Sequence, residues 1–164
     1  MDHPRNDGSS PVSLRRRLYC RLQLESYSAI EVGREGARLK PLNILIVDDS
    51  QTARRMLRAV LWSQQWKVSE AEDARTGIRK FEELKPDAVV MDLAMPDMDG
   101  VEAARHMSAV DPSIPIVLFT IIPFSGLERP ARDAGISAVV PKNEAWSLIG
   151  QIDNLVQRPH ATNS

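Results

Sequence analysis

Leu42-Asn43-Ile44-Leu45-Ile46-Val47-Asp48-Asp49-Ser50 is the stretch on which the fold turns. The first six residues form a short apolar run, largely branched and without strict alternation. A run of that kind is a strand buried on both faces, the state of strands in parallel sheets. Two carboxylates stop it at once. Ser50 then offers the hydroxyl that caps a helix, and Ala53, Met56, Leu57, Val60 and Leu61 follow at helical spacing. The segment thus reads as strand, acidic turn and helix.

The same alternation repeats downstream. Residues 67–71 form a weak strand, and residues 73–84 a helix with Gly77, Ile78, Phe81 and Leu84 inward. Residues 87–91 form a strand that ends at Asp92, and residues 100–110 a helix. Residues 114–119 form an apolar strand that ends at Thr120, and residues 124–134 a poorer helix. Residues 137–140 form a strand ending near Lys142. Residues 144–156 make an amphipathic helix with Ala145, Leu148, Ile149, Ile152, Leu155 and Val156 on one face. Five strands alternating with five helices predict an α/β fold, a parallel sheet covered on both faces with right-handed crossovers. The expected architecture is doubly wound and flavodoxin-like, with strand order 2-1-3-4-5.

Upstream, residues 1–40 differ in character. They hold eight Lys/Arg against five Asp/Glu, a net of +3, while the remainder carries 13 against 17, a net of -4. Asp7-Gly8-Ser9-Ser10-Pro11 is turn chemistry. Leu14, Leu18 and Leu22 share a helical face among Arg15, Arg16, Arg17 and Arg21, so a short basic amphipathic helix fits there. Such an arm either docks on a partner or anionic surface or is a frayed extension. The reading divides the chain into a basic, flexible extension (1–40), one globular domain (41–158) and a short tail (159–164).

Composition bounds the function classes. With 164 residues, 43% hydrophobic and 26% charged, the chain suits one ordinary globular domain. A net charge of -1 gives no reason to expect nucleic acid or membrane as partner. Cys20 is the lone cysteine, so no intrachain disulfide forms, which fits a reducing cytosol. The N-terminus lacks the apolar core of a secretory signal, and no stretch approaches the ~20 apolar residues of a membrane span. The expected compartment is the cytoplasm.

Polar groups fall where strands end. Asp48 and Asp49 follow the first strand, Asp92 the third, Thr120 the fourth and Lys142 the fifth. Open α/β sheets bind ligands beyond the carboxyl ends of their strands, where the strand order reverses. The expected order makes the first and third strands neighbours and brings Asp48, Asp49 and Asp92 together. Three carboxylates in one pocket repel each other unless a cation is present. Oxygen ligands without a His/Cys cluster favour Mg²⁺ over zinc. Carboxylates, a lysine and a threonine hydroxyl make a phosphoryl-handling set, with an aspartate as nucleophile. Each residue alone has a plain structural use, as cap, turn former or solvated charge. Their joint placement at four strand ends is what points to a site. A Mg²⁺-dependent phosphatase or hydrolase could use the same acidic cluster, but no cap or substrate-reading segment accompanies it.

The motifs Ile44-Leu45-Ile46-Val47-Asp48-Asp49-Ser50, Val89 to Gly100, Leu118-Phe119-Thr120 and Ala134 to Lys142 resemble the receiver domains of two-component response regulators. The segment Asp92-Leu93-Ala94-Met95-Pro96-Asp97-Met98-Asp99-Gly100 is the most specific of them. The resemblance implies that Asp92 is the phosphoacceptor, with Asp49 binding Mg²⁺ directly, Asp48 doing so through water, and the Ala94 backbone carbonyl as a further ligand. It implies that Thr120 and Lys142 contact the phosphoryl group, that Pro96 and Gly100 shape the loop, and that Ala94 and Ile122 lie near positions that tune hydrolysis. Positive-φ freedom is the expected reason for Gly100. The implied partners are a histidine kinase or phosphotransfer protein and a downstream protein target. The implied role is a phosphoacceptor that catalyses only its own phosphorylation and dephosphorylation.

Several positions depart from the family pattern. Val139 stands where a switch aromatic is usual, and Asn143 stands where proline usually follows the lysine, so a trans bond is expected there. Ile121 stands where a small residue is usual, and is expected to crowd Asp92. Pro130 falls inside the fourth helix and should kink it or delay its start. No room follows Val156 for a helix-turn-helix reader, so signal is expected to leave by protein contact or onward phosphoryl transfer. A receiver fold used only for binding, without phosphorylation, is the alternative.

Overall fold

The computed structural model describes residues 41–122, 126 and 128–157. The basic extension with its arginine-leucine segment and the tail lie outside them. Five strands form one parallel sheet: β1 (Asn43–Val47), β2 (Lys67–Ala71), β3 (Ala88–Met91), β4 (Ile116–Thr120) and β5 (Ile136–Pro141). Their order is β2-β1-β3-β4-β5, as expected from the alternation. The helices are α1 (Gln51–Trp62), α2 (Ala74–Leu84), α3 (Gly100–Val110), α4 (Glu128–Asp133) and α5 (Leu148–Gln157).

Alternate residues of each strand feed two apolar layers. Leu45, Val47, Val89, Met91, Ile116 and Leu118 pack with Phe81 of α2 and Ala103, Ala104 and Met107 of α3. Ile44, Ile46, Val90, Val117 and Phe119 face Leu57 and Leu61 of α1 and Leu148 and Ile152 of α5. The unbroken apolar runs of β1, β3 and β4 follow from this, because each is covered on both faces. β2 reads weakly because it is an edge strand with only Ala71 fully buried.

Three details differ from the sequence expectation. Met56 is exposed, and the inward stripe of α1 runs Arg54, Leu57, Leu61. Leu84 is half exposed: a rotation of ~100° per residue carries it to the edge of the stripe Ala74, Gly77, Phe81. The last helix does not begin at residue 144. Residues Lys142–Ser147 form a 3-10 segment with Glu144 off helical geometry (φ -116°, ψ 33°), and α5 starts at Leu148. There the Ser147 hydroxyl donates to the Glu144 carbonyl at 2.9 Å, and i to i+3 bonding replaces the α pattern. The late start expected of α4 is found: it begins at Glu128, so Pro130 falls in its first turn, where a missing N–H leaves no bond unmade. No helix among the described residues is long and apolar enough to cross a membrane.

α2 is capped by Asp73, whose carboxylate accepts from the Thr76 amide at 2.7 Å and the Thr76 hydroxyl at 2.8 Å. These two bonds, the amide bond first, hold the Asp73 carboxyl below its ordinary value. A lowered folded pKa adds stability above the unfolded value of ~3.9 and loses it as pH falls through the folded one. Asp73→Ala should therefore cost about 1 kcal/mol near neutral pH. In urea unfolding, the gap between variant and wild type should narrow as the solution is acidified through that range.

Candidate functional site

The sheet pairing aligns Val47 with Met91, so Asp48 and Asp92 leave adjacent strands side by side. The Asp92 amide donates to the Val47 carbonyl at 2.8 Å, which ties the two strand ends. On the other side, β4 delivers Thr120 beside Pro141 of β5, and Lys142 follows. The structure brings Asp48, Asp49, Asp92, Thr120 and Lys142 to one end of the sheet, as the strand-end argument expected.

Carboxylate oxygens of Asp48, Asp49 and Asp92 lie within 4.8 Å of one another. Asp48 and Asp92 are buried at 1% and 6% exposure, whereas Asp49 is exposed. The Lys142 ammonium sits between the buried pair, 2.8 Å from Asp48 Oδ2 and 3.2 Å from Asp92 Oδ1. It also lies 6.0 Å from the centroid of the Phe119 ring, at the limit of a cation–π contact. Asp48 Oδ1 accepts from the Ser50 amide at 2.8 Å. Asp92 Oδ1 accepts from the Leu93 amide at 2.9 Å as well as from Lys142. Among the described residues, both bonds of Asp92 fall on Oδ1 and none on Oδ2. Thr120 is buried, and its Oγ1 accepts from the Ile122 amide at 3.1 Å, so the hydroxyl proton remains available for donation.

Burial pushes the Asp92 carboxyl above the ordinary carboxylate range, the charge of Asp48 adds to this, and Lys142 only partly opposes it. Burial also works against the Lys142 charge, but the bonds and charges of Asp48 and Asp92 outweigh it and raise its pKa. One ammonium against three carboxylates leaves the cluster net negative. The donors are all oxygen, two of the carboxylates are desolvated, and no His or Cys joins them among the described residues. That set fits a hard divalent cation such as Mg²⁺.

The loop after Asp92 is shaped differently from the expectation. Leu93 and Met95 are buried, while Ala94 is exposed two residues beyond Asp92. The positive φ belongs to Asp97 (66°), where the Met98 amide reaches back to the Pro96 carbonyl at 2.8 Å. Gly100 has ordinary φ, and its requirement is close approach: an added Cβ would stand 2.2 Å from the Asp92 carbonyl oxygen. Gly100→Ala should thus push the loop off the strand end, costing roughly 1–3 kcal/mol. Thermal melting checks the loss, and an unchanged midpoint would contradict the close packing.

Ile121 does not crowd the site: at 82% exposure it stands in solvent. Val139 is half-buried against the α2/α3 layer. No cis peptide occurs among the described residues, so the Lys142-Asn143 bond is trans as expected. One residue at the site escaped the sequence reading. Arg54 is buried, and its Nη1 donates to the carbonyls of Asp48 at 2.7 Å and Asp49 at 3.2 Å. The signal was a charged residue on the apolar stripe of α1, in register with Leu57 and Leu61.

The family model for the response regulator receiver domain matches residues 44–152. The chain is 33% identical over 116 residues to the chemotaxis protein CheY of Thermotoga maritima, covering 70% of this chain and 97% of that one. It is 33% identical over 102 residues to CheY of Listeria monocytogenes, covering 62% and 86%. The crystal structure of the response regulator domain of Thermotoga maritima CheB superposes with a TM-score of 0.67 at 25% identity, covering 73% of this chain and 99% of that one. The chain belongs to the response regulator receiver family of two-component signalling.

Proposed function

We propose that this chain is a phosphorylation switch in which Asp92 accepts a phosphoryl group from a histidine kinase or phosphotransfer protein. The observation that carries the reading is the Asp48–Asp49–Asp92 carboxylate cluster with Lys142 bridging its buried pair. Asp92 Oδ2 forms the new P–O bond. The P–N bond to the donor imidazole breaks, and the electron pair and a proton return to that ring. Lys142 and the Thr120 hydroxyl are placed to take the phosphoryl oxygens. Asp48, Asp49, Asp92 and the Ala94 backbone carbonyl would hold Mg²⁺, which when bound offsets the carboxylate and phosphoryl charge. Signal then passes to a downstream protein by surface contact in the cytoplasm, with no turnover of an external substrate.

A second reading, a receiver fold that binds a partner without being phosphorylated, draws on Val139 in place of a switch ring and on the exposed Ile121 and Ile122. Intact mass after incubation with a small acyl phosphate separates the two. The switch predicts a gain of one phosphoryl group with Mg²⁺ and none with a chelator. No gain under donor excess would favour the binding module.

A further inference from the structure

Arg54 holds a position that packing alone would give to leucine. Arg54, Leu57 and Leu61 form the buried stripe of α1, and Leu57 and Leu61 pack into the layer shared with α5. A guanidinium is costly to bury unless its donors are met. Here Nη1 spans two consecutive carbonyls, those of Asp48 and Asp49, at 2.7 and 3.2 Å. Nε lies 3.4 Å from Glu70 Oε2. Glu70 sits on the edge strand β2 and is itself held, its Oε1 accepting from Arg58 Nε at 2.6 Å and its carbonyl from Lys80. A planar fork with several donors can join these groups at once, which an ammonium cannot.

We infer that Arg54, anchored by Glu70, is a positioning residue that fixes the Asp48-Asp49 turn so that both carboxylates face the divalent ion. The need for it follows from the site. Asp48 Oδ1 is tied by Ser50, and Oδ2 by Lys142. Asp49 is exposed, and its backbone carbonyl is what Arg54 grips. Clamping that carbonyl limits the rotation of the peptide from which the Asp49 side chain projects. Residues behind metal ligands set affinity in this way, and removing them typically weakens binding by about 10–100-fold.

The inference rests on the acidic cluster being a Mg²⁺ site, and calorimetric Mg²⁺ titration of the full chain tests the two separately. Arg54→Met fills the same apolar slot without donors and should weaken Mg²⁺ by about tenfold or more. Arg54→Lys should fall between it and wild type, since an ammonium still serves one carbonyl. Glu70→Gln, which loosens only the anchor, should weaken binding by less than Arg54→Met. A merely structural Arg54 would lower the melting point and leave the Mg²⁺ affinity where it was. Wild-type affinity in a folded Arg54→Met protein overturns the inference. Should that variant not fold, Glu70→Gln decides: weakened binding supports the anchor, and unchanged binding overturns it. No Mg²⁺ binding by wild type would overturn the cluster reading and this inference together.

Discussion

Asp92→Asn should abolish phosphorylation by a small acyl phosphate while leaving the fold intact. The amide keeps the shape of the carboxylate and can still accept from the Leu93 amide, which bonds Asp92 Oδ1 at 2.9 Å. It loses the anionic oxygen proposed to attack phosphorus, and no other carboxylate is expected to replace it. Asp48 is buried with both oxygens engaged by Ser50 and Lys142. Asp49 lies in the same cluster but is exposed, so its carboxylate lacks the desolvation that marks Asp92. The variant should also melt at or above the wild-type temperature without Mg²⁺, because it removes a charge that burial disfavours. Intact mass and a thermal melt on the same sample check both halves. Full labelling of the variant would move the acceptor to another residue.

Lys142→Ala should be the most destabilising single change at the site. Its ammonium is the partner of both buried carboxylates, Asp48 and Asp92. Breaking a fully buried pair costs about 3–5 kcal/mol. Lys142 retains 20% side-chain exposure, so we expect the lower end, roughly 2–3 kcal/mol, or a melting point about 10 °C lower. Two signs mark the origin of the loss. The raised folded pKa of Lys142 makes its contribution full below the unfolded value of ~10.4 and lost only as pH rises through the folded one. Millimolar Mg²⁺ should return part of the stability, since a divalent cation relieves the same repulsion. Trp66, buried in the layer beneath α1 and α5, gives a fluorescence reading of unfolding. Equal melting of variant and wild type, with and without Mg²⁺, would contradict the bridging role of Lys142.

The fold was legible because burial on both faces leaves an unmistakable pattern. β1 from Ile44 onward, β3, and β4 as far as Phe119 read as apolar runs, and Asp48, Asp92 and Thr120 stand where they leave the sheet. From those ends the strand order followed, and with it the meeting of Asp48, Asp49 and Asp92 across the chain. What stayed hidden depends on the third dimension. The 3-10 start of the last helix arises from a local bond between Ser147 and Glu144 that apolar spacing does not encode. Gly100 looked like a positive-φ glycine, whereas its constraint is the Asp92 carbonyl lying against it. Ile121 looked obstructive because sequence gives adjacency and not direction. Arg54 went unnoticed because Arg55 and Arg58, of the same appearance, stand on the exposed face of the same helix, and only the inward turn of Arg54 gives it a role.

The most direct test of the account is chemical identification of the acceptor. The protein is incubated with an acyl phosphate and Mg²⁺, reduced with borohydride, digested, and its peptides sequenced by mass. An aspartyl phosphate is reduced to homoserine, and the account predicts homoserine at position 92 alone, absent when Mg²⁺ is chelated. Homoserine at another aspartate, or phosphate retained on a serine or threonine with Asp92 unchanged, would contradict it.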